Sequence, residues 1–211
     1  MFASREDAGR KLGEYLRGEG VQADVVLGLP RGGVIVAAEV AHILGAPLDV
    51  LIVRKIGHPW HREFAVGALA ETGVVVFDAN ASRGDPNVRA GLEEIVEEEK
   101  ERLRAYQAKF HRDGMCELAG KAVMLVDDGL ATGATMEAAV ASATRRNARS
   151  VIVAVPVAST GASARLKQVA NDVRALWVDP DFDAVGRYYD VFSQTTDEEV
   201  LDLLRAEVRR N

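Results

Sequence analysis

The sequence predicts an α/β domain built on a parallel sheet with helices on both faces. Short apolar runs alternate with segments of helical period along the 211 residues, which is the signature of strand–helix–strand units. The apolar runs lack a polar alternate, as strands buried on both faces require. Four unusual loops follow these runs, and in such sheets ligands gather at the carboxyl ends of the strands.

The elements follow in order. Ser4 is an N-cap for an amphipathic helix over residues 4–18, with Leu12, Tyr15 and Leu16 on one side. Asp24 to Leu29 is a buried strand that runs into Gly28-Leu29-Pro30-Arg31-Gly32-Gly33. Val34 to Leu44 is helical and closed by Gly45, and Leu48 to Val53 is a second strand ending at Arg54-Lys55. Val74 to Phe77 is a strand after Gly73. Pro86 to Phe110 is a long charged helix carrying Leu92, Ile95, Leu103 and Tyr106, the heart of an insertion spanning about 83–115. Its Glu and Arg/Lys residues in helical register describe a solvated helix, with a flap or a subunit interface as the sharper alternative. Val123–Val126, Val151–Val157 and Val173–Val178 are further strands. Helices follow over Thr135–Arg145 and from about Ser163, and Thr196-Asp197-Glu198-Glu199 starts a last one through Val200, Leu203 and Leu204. Residues 1–211 form one domain, with about 179–211 as a small C-terminal hood. The loops at 28–33, 54–63, 127–135 and 179–189 are expected around one crevice.

Composition narrows the setting. Apolar residues make up 48%, enough for a sizeable core. With 26 basic and 32 acidic residues, a net charge of −6, the chain is a poor generic partner for nucleic acid. One cysteine, Cys116, forms no intrachain disulfide and no Cys cluster. The N-terminus has no signal-peptide pattern and no run approaches the ~18 apolar residues of a membrane span. A cytoplasmic setting without membrane contact is expected.

The chemistry concentrates in Val123-Met124-Leu125-Val126-Asp127-Asp128-Gly129-Leu130-Ala131-Thr132-Gly133-Ala134-Thr135. A strand feeding small residues into a helix start makes an anion cradle, because the first helical N–H groups are unpaired and the dipole favours negative charge. The lysine and spacing of a Walker A loop are missing. Two acids before a phosphate cradle must face something other than phosphate. Vicinal hydroxyls or a divalent cation are suitable partners.

This stretch resembles the PRPP-binding motif of the type I phosphoribosyltransferases. The resemblance implies that Asp127 and Asp128 hold the ribose hydroxyls of 5-phosphoribosyl-1-diphosphate (PRPP), and that Gly129, Ala131, Thr132, Gly133, Ala134 and Thr135 wrap its 5′-phosphate. It assigns Pro30, Arg31, Gly32 and Gly33 to the pyrophosphate loop, often with a strained peptide in the family. It gives Lys55 to the diphosphate and Arg54 to the diphosphate or the flank of the base. Residues 58–72 would be a flexible catalytic loop, with Trp60 as a shield; His58 and His61 are read as loop residues rather than catalysts. Phe182, with the backbone of Asp183 and Ala184, is the candidate base site.

The implied activity is transfer of the phosphoribosyl group to a nucleobase nitrogen with release of pyrophosphate, dependent on Mg²⁺ carried mainly by PRPP, in a homodimer serving nucleotide salvage. Asp127, Asp128 and Lys55 are the catalytic candidates. One departure stands out. Ala131 occupies the position where hypoxanthine-guanine enzymes carry a third acid, leaving Glu63, Glu71 and Asp183 as other carboxylates. The alternative is a PRPP-sensing regulatory protein on the same fold.

Overall fold

A computed structural model of the chain describes residues 1–78, 86–111 and 114–208. Five parallel strands form the central sheet: β1 (Val25–Gly28), β2 (Leu48–Val50), β6 (Ala122–Val126), β7 (Ser150–Ser159) and β8 (Asp172–Asp179), in the order β2-β1-β6-β7-β8. Alternate residues of each inner strand point into two different cores. Val25, Leu27, Val123, Leu125, Val151 and Val153 pack beneath helices α4 (Ala134–Arg145) and α5 (Thr160–Leu166). Val26, Met124, Val126 and Ala154 pack beneath α1 (Arg5–Gly18) and α2 (Gly32–Leu44). Burial on both faces explains why these strands carry no polar alternate. β1 and β6 are neighbours in this sheet, so the loops that follow them open side by side.

The run Leu48–Val53 is not one strand. After β2 the chain leaves the parallel sheet at Leu51-Ile52 and continues as β3 (Val53–His58) of a second, antiparallel sheet with β4 (His61–Ala70) and β5 (Val75–Phe77). Glu71 fixes the change of direction. Its amide donates to the Ile52 carbonyl, and its carboxylate accepts from the Ile52 amide at 3.0 Å. The segments expected as a loop at 54–63 and a catalytic loop at 58–72 are therefore mostly a hairpin. Its bulged register at Gly57 and the exposed outer residues 61–64 hid the strand period in the sequence.

Helix α3 (Pro86–Phe110) corrects a second expectation. It is not simply solvated, because Val88, Leu92, Ile95, Leu103 and Phe110 are buried in a core shared with Ile56, Val66 and Leu69 of the hairpin. Val200 and Leu201 of α6 (Asp197–Val208) complete that core. Residues 83–85 and 112–113 of the expected insertion, and 209–211 of the expected hood, lie outside the described residues. α6 starts on a reciprocal cap. The Glu199 amide donates to Thr196 Oγ1 and the Thr196 amide to Glu199 Oε2. α5 begins three residues before the expected Ser163, since Ser159 Oγ accepts from the Ala162 amide at 3.0 Å.

The N-terminus is sewn to the hood. Phe2 pairs with Tyr189, and the Asp190 and Val191 amides donate to the Phe2 and Ala3 carbonyls. Ser4 caps α1 through the Asp7 amide. Among the described residues no helix is long and apolar enough to cross a membrane.

The Glu71 side chain is fully buried and meets His111 Nε2 at 2.9 Å and Arg146 Nη1 at 3.3 Å. Glu71→Ala removes one partner of this network and leaves the Arg146 cation without it. It is expected to destabilise the fold by about 3–5 kcal/mol, read as a lower urea midpoint; an unchanged midpoint would show that the network does not hold the two sheets together.

Candidate active site

A cleft of about 270 Å³ opens at the carboxyl ends of β1 and β6. Its walls come from four separate segments: Leu29–Gly32 after β1, Val53 and Lys55 on β3, Asp127–Gly133 with Thr135 and Met136, and Val185 of the hood. The structure thus brings together Pro30, Arg31, Gly32, Lys55, Asp127, Asp128, Gly129, Ala131, Thr132, Gly133 and Thr135.

Asp127 and Asp128 form the floor. Asp127 Oδ1 accepts from the Asp128 amide at 2.9 Å. Asp128 Oδ2 accepts from Arg5 Nε at 2.7 Å, and the Asp128 carbonyl accepts from the Tyr189 hydroxyl at 2.6 Å. Burial pushes both carboxyls above the usual carboxylate range. For Asp127 the neighbouring Asp128 charge raises it further, while Lys55 and Arg5 pull it back. The Lys55 ammonium acts on both acids.

The first loop closes directly onto these carboxylates. The Pro30–Arg31 peptide is cis. A Cβ at Gly32 would strike Asp128 Oδ2, and one at Gly33 would lie 2.7 Å from Asp127 Oδ1. The paired glycines are therefore a steric requirement of the close approach. Gly33 touches the acid from behind and does not line the cleft.

The second loop forms the cradle. Gly133 has φ 81° and caps α4, a helix start with no side-chain cap bond. The first N–H groups of a helix have no intrahelical partners, a start that favours an anion. The loop is anchored from below: Ser159 Oγ donates to the Ala131 carbonyl at 2.7 Å, and the Leu130 amide to Val157. Ala134 is buried under the cradle rather than in its wall.

The cations divide. Lys55 and Arg31 reach the cleft, and Arg31 Nη1 also stands 3.5 Å from Asp197 on α6. Arg54 does not line it. Its Nε donates to Glu99 of α3 at 2.8 Å, and its guanidinium lies over the Tyr106 ring. Arg54 instead lines an adjoining cavity of about 380 Å³ with Pro30, Arg31, Lys55 and Tyr106.

The hood differs most from expectation. Phe182, Asp183 and Ala184 lie outside the cleft wall. Phe182 is stacked on Tyr188, centroids 5.3 Å apart, and Asp183 pairs with Arg187. The hood residue that lines the cleft is Val185, one of whose methyls would be 2.8 Å from a Cβ at Gly129. Nor do the other carboxylates considered reach it: Glu71 is locked in its network and Glu63 is exposed on the hairpin. Cys116 is inert, since burial, then Asp49, push its thiol up to about 12.

Sequence reasoning missed Arg5, Val185, Tyr106 and Tyr189. Only Arg5 left a signal: it is the first residue of α1, where a cation opposes the helix dipole.

Among the described residues no group of three or more His, Cys, Asp or Glu is placed to hold a metal.

Known proteins resemble this chain. A family model described as Phosphoribosyl transferase domain matches residues 3–190. A protein of Mycobacterium tuberculosis H37Rv, provisionally named a phosphoribosyl transferase, is 42% identical over 205 residues, 97% of this chain and 46% of that protein. The chain thus spans about half the length of the curated relatives it matches. The crystal structure of TT1426 from Thermus thermophilus is 47% identical, covers 97% of both chains and has a TM-score of 0.80. AQ2163 from Aquifex aeolicus, 14% identical over 86% of this chain and 78% of its own, shares the fold with a TM-score of 0.51.

The raised Asp127 carboxyl fixes the sign of a stability test. Its native state holds a proton more tightly than the unfolded chain does, so ionisation costs stability increasingly as pH rises from the unfolded to the folded value. Asp127→Asn is expected to raise Tm at pH 7 by on the order of 2 °C. The gain should vanish below the ordinary carboxylate range. A Tm at pH 7 equal to wild type would show that the acid pair carries no net strain.

Proposed function

The chain belongs to the phosphoribosyl transferase family, and from that premise we propose that it transfers the 5-phosphoribosyl group of PRPP to a nucleobase nitrogen, releasing pyrophosphate. The observation that carries this reading is the meeting of the acid pair, the α4 cradle and Lys55 in one cleft. Each part suits a different portion of PRPP. The cradle from Gly129 to Thr135 takes the 5′-phosphate. Asp127 and Asp128 accept hydrogen bonds from the ribose hydroxyls, a charge-assisted pairing. The Pro30–Gly33 loop, with Arg31 and Lys55, takes the diphosphate. Arg54, engaged by Glu99, stands behind that position in the adjoining cavity.

Breaking the bond from the anomeric carbon to the diphosphate oxygen builds positive charge on the sugar ring and negative charge on the leaving group. Lys55, Arg31 and the loop N–H groups oppose the negative charge where it develops. The two carboxylates below the ring favour the cationic sugar electrostatically. The incoming nitrogen must approach from the face opposite the diphosphate. Val185 is the hood residue that lines the cleft, so in this reading the base meets an aliphatic wall there rather than the aromatic one expected at Phe182. Mg²⁺ bound to the diphosphate would add charge neutralisation there. The homodimer stays part of this reading; the exposed Trp60 and Phe64 rings of the hairpin are where it would be probed.

The test is pyrophosphate release from PRPP and Mg²⁺ across purine and pyrimidine bases. Release dependent on one base is expected. Lys55→Met should then lower kcat by about 100-fold, read on protein that remains folded. PRPP binding without release for any base would replace transfer with sensing. For the cradle, Gly133→Val forces a branched side chain into a positive-φ position 3.3 Å from Ala162. It should abolish PRPP binding, and normal binding in that variant would remove the phosphate assignment.

A further inference from the structure

Arg5 is held by three separate contacts that converge on one guanidinium. Its Nε donates to Asp128 Oδ2 at 2.7 Å, and its Nη1 donates to the Ser193 carbonyl at 2.8 Å. Its central carbon sits 3.8 Å from the centroid of the Phe192 ring, a cation–π stack. The residue is only 9% exposed. The segment before it pairs with Tyr188–Val191 of the hood, so Arg5 is delivered to the cleft by a stitched N-terminus.

Helix stability does not explain this residue. As the first residue of α1 it places a cation at the positive end of the helix dipole, where an acid or a neutral residue is preferred. Nor is Arg5 arranged like a ligand-binding cation. Lys55 is exposed and reaches the cleft, whereas Arg5 is buried, with Nε and Nη1 bonded to protein at Asp128 and Ser193, and lines a separate cavity with Arg31 and Phe192. Gly32 is kept small partly on its account, since a Cβ there would stand 2.7 Å from Arg5 Nε.

We propose that Arg5 is the positioning residue of the acid pair, holding the Asp128 carboxylate charged and in one orientation so that its Oδ1 accepts a ribose hydroxyl. The proposal rests on the reading of this cleft as the PRPP site and adds a residue on a distant element to it. The charged and titratable groups around Asp128 are Asp127 on β6, Lys55 on β3, Tyr189 in the hood, whose hydroxyl binds the Asp128 carbonyl, and Arg5 itself; Glu199 on α6 bears on Arg5. Only Arg5 among them forms an ion pair with Asp128. Without it, the carboxylate would take up a proton more readily and would lose its fixed rotamer. The planar fork matters as well as the charge, because one guanidinium reaches Asp128 and Ser193 together.

The experiment is calorimetric titration of the full chain with PRPP and Mg²⁺ across pH, for wild type, Arg5→Gln and Arg5→Lys, each also with Asp128→Asn. Arg5→Gln is expected to weaken binding about 10-fold or more at pH 7. It should also move the pH below which binding is lost upward. Arg5→Lys should restore that pH while remaining weaker than wild type. In the Asp128→Asn background Arg5→Gln should change affinity little, since the pair it breaks is already gone. A folded Arg5→Gln with wild-type affinity and pH profile overturns the proposal, as does an equal loss in the Asp128→Asn background. If Arg5→Gln does not fold, Arg5→Lys decides: weaker binding at unchanged Tm supports the role, and wild-type binding refutes it. A wild-type protein that does not bind PRPP refutes the reading of the cleft itself, and the proposal with it.

Discussion

Two carboxylates on consecutive residues at the end of a buried strand repel each other and lose hydration, and the cleft is arranged around that cost. Asp127 turns back onto the Asp128 amide. Asp128 is held by Arg5 from α1, and Lys55 on β3 bears on both. Three elements far apart in sequence are thus brought to one point by the need to offset like charges in a place where water is scarce. The glycines of the first loop belong to the same arrangement, since any side chain at Gly32 or Gly33 would strike one of the acids. A ligand with vicinal hydroxyls would relieve what remains of the repulsion, which is how a site costly to stability becomes selective in binding.

The antiparallel hairpin and α3 serve this point indirectly. β3 carries Lys55 to the cleft, and it can do so only because the chain leaves the parallel sheet at Ile52, where Glu71 grips the backbone. α3 packs its apolar stripe on the hairpin and reaches Arg54 through Glu99 and Tyr106. Its Lys109 pairs with Asp197, the acid that also approaches Arg31. The insertion therefore sets which cations face the cleft and which are withheld. That division follows from partners rather than from residue type: Arg54 and Lys55 are adjacent, yet one is tied to a carboxylate and the other extends into the site.

The parallel sheet was legible because burial on both faces writes itself as unbroken apolar runs, as in Val123–Val126. That the acid pair and the small residues after it line one cleft was legible because their residue types make little sense as plain structure. The hairpin was not. Residues 58–64 carry polar and aromatic side chains on an exposed edge, and a bulge at Gly57 breaks the period of two. The role of α3 was half visible, in that Leu92, Ile95 and Leu103 marked a face but nothing in its charged sequence named the partner. Phe182 was chosen on the resemblance, as an aromatic following a strand; Tyr188 beside it offered a stacking partner that competes with any ligand. Arg5 required a contact across 123 positions, which no local pattern supplies.

The most direct test of the central claim is a crystal structure of the chain with PRPP bound. The account predicts the ribose hydroxyls on Asp127 and Asp128, the 5′-phosphate at the N-terminus of α4 within Thr132–Thr135, and the diphosphate against Pro30–Gly33 and Lys55. A ligand bound in the adjoining cavity by Tyr106, with the two acids still engaged only by Arg5 and the Asp128 amide, would contradict it.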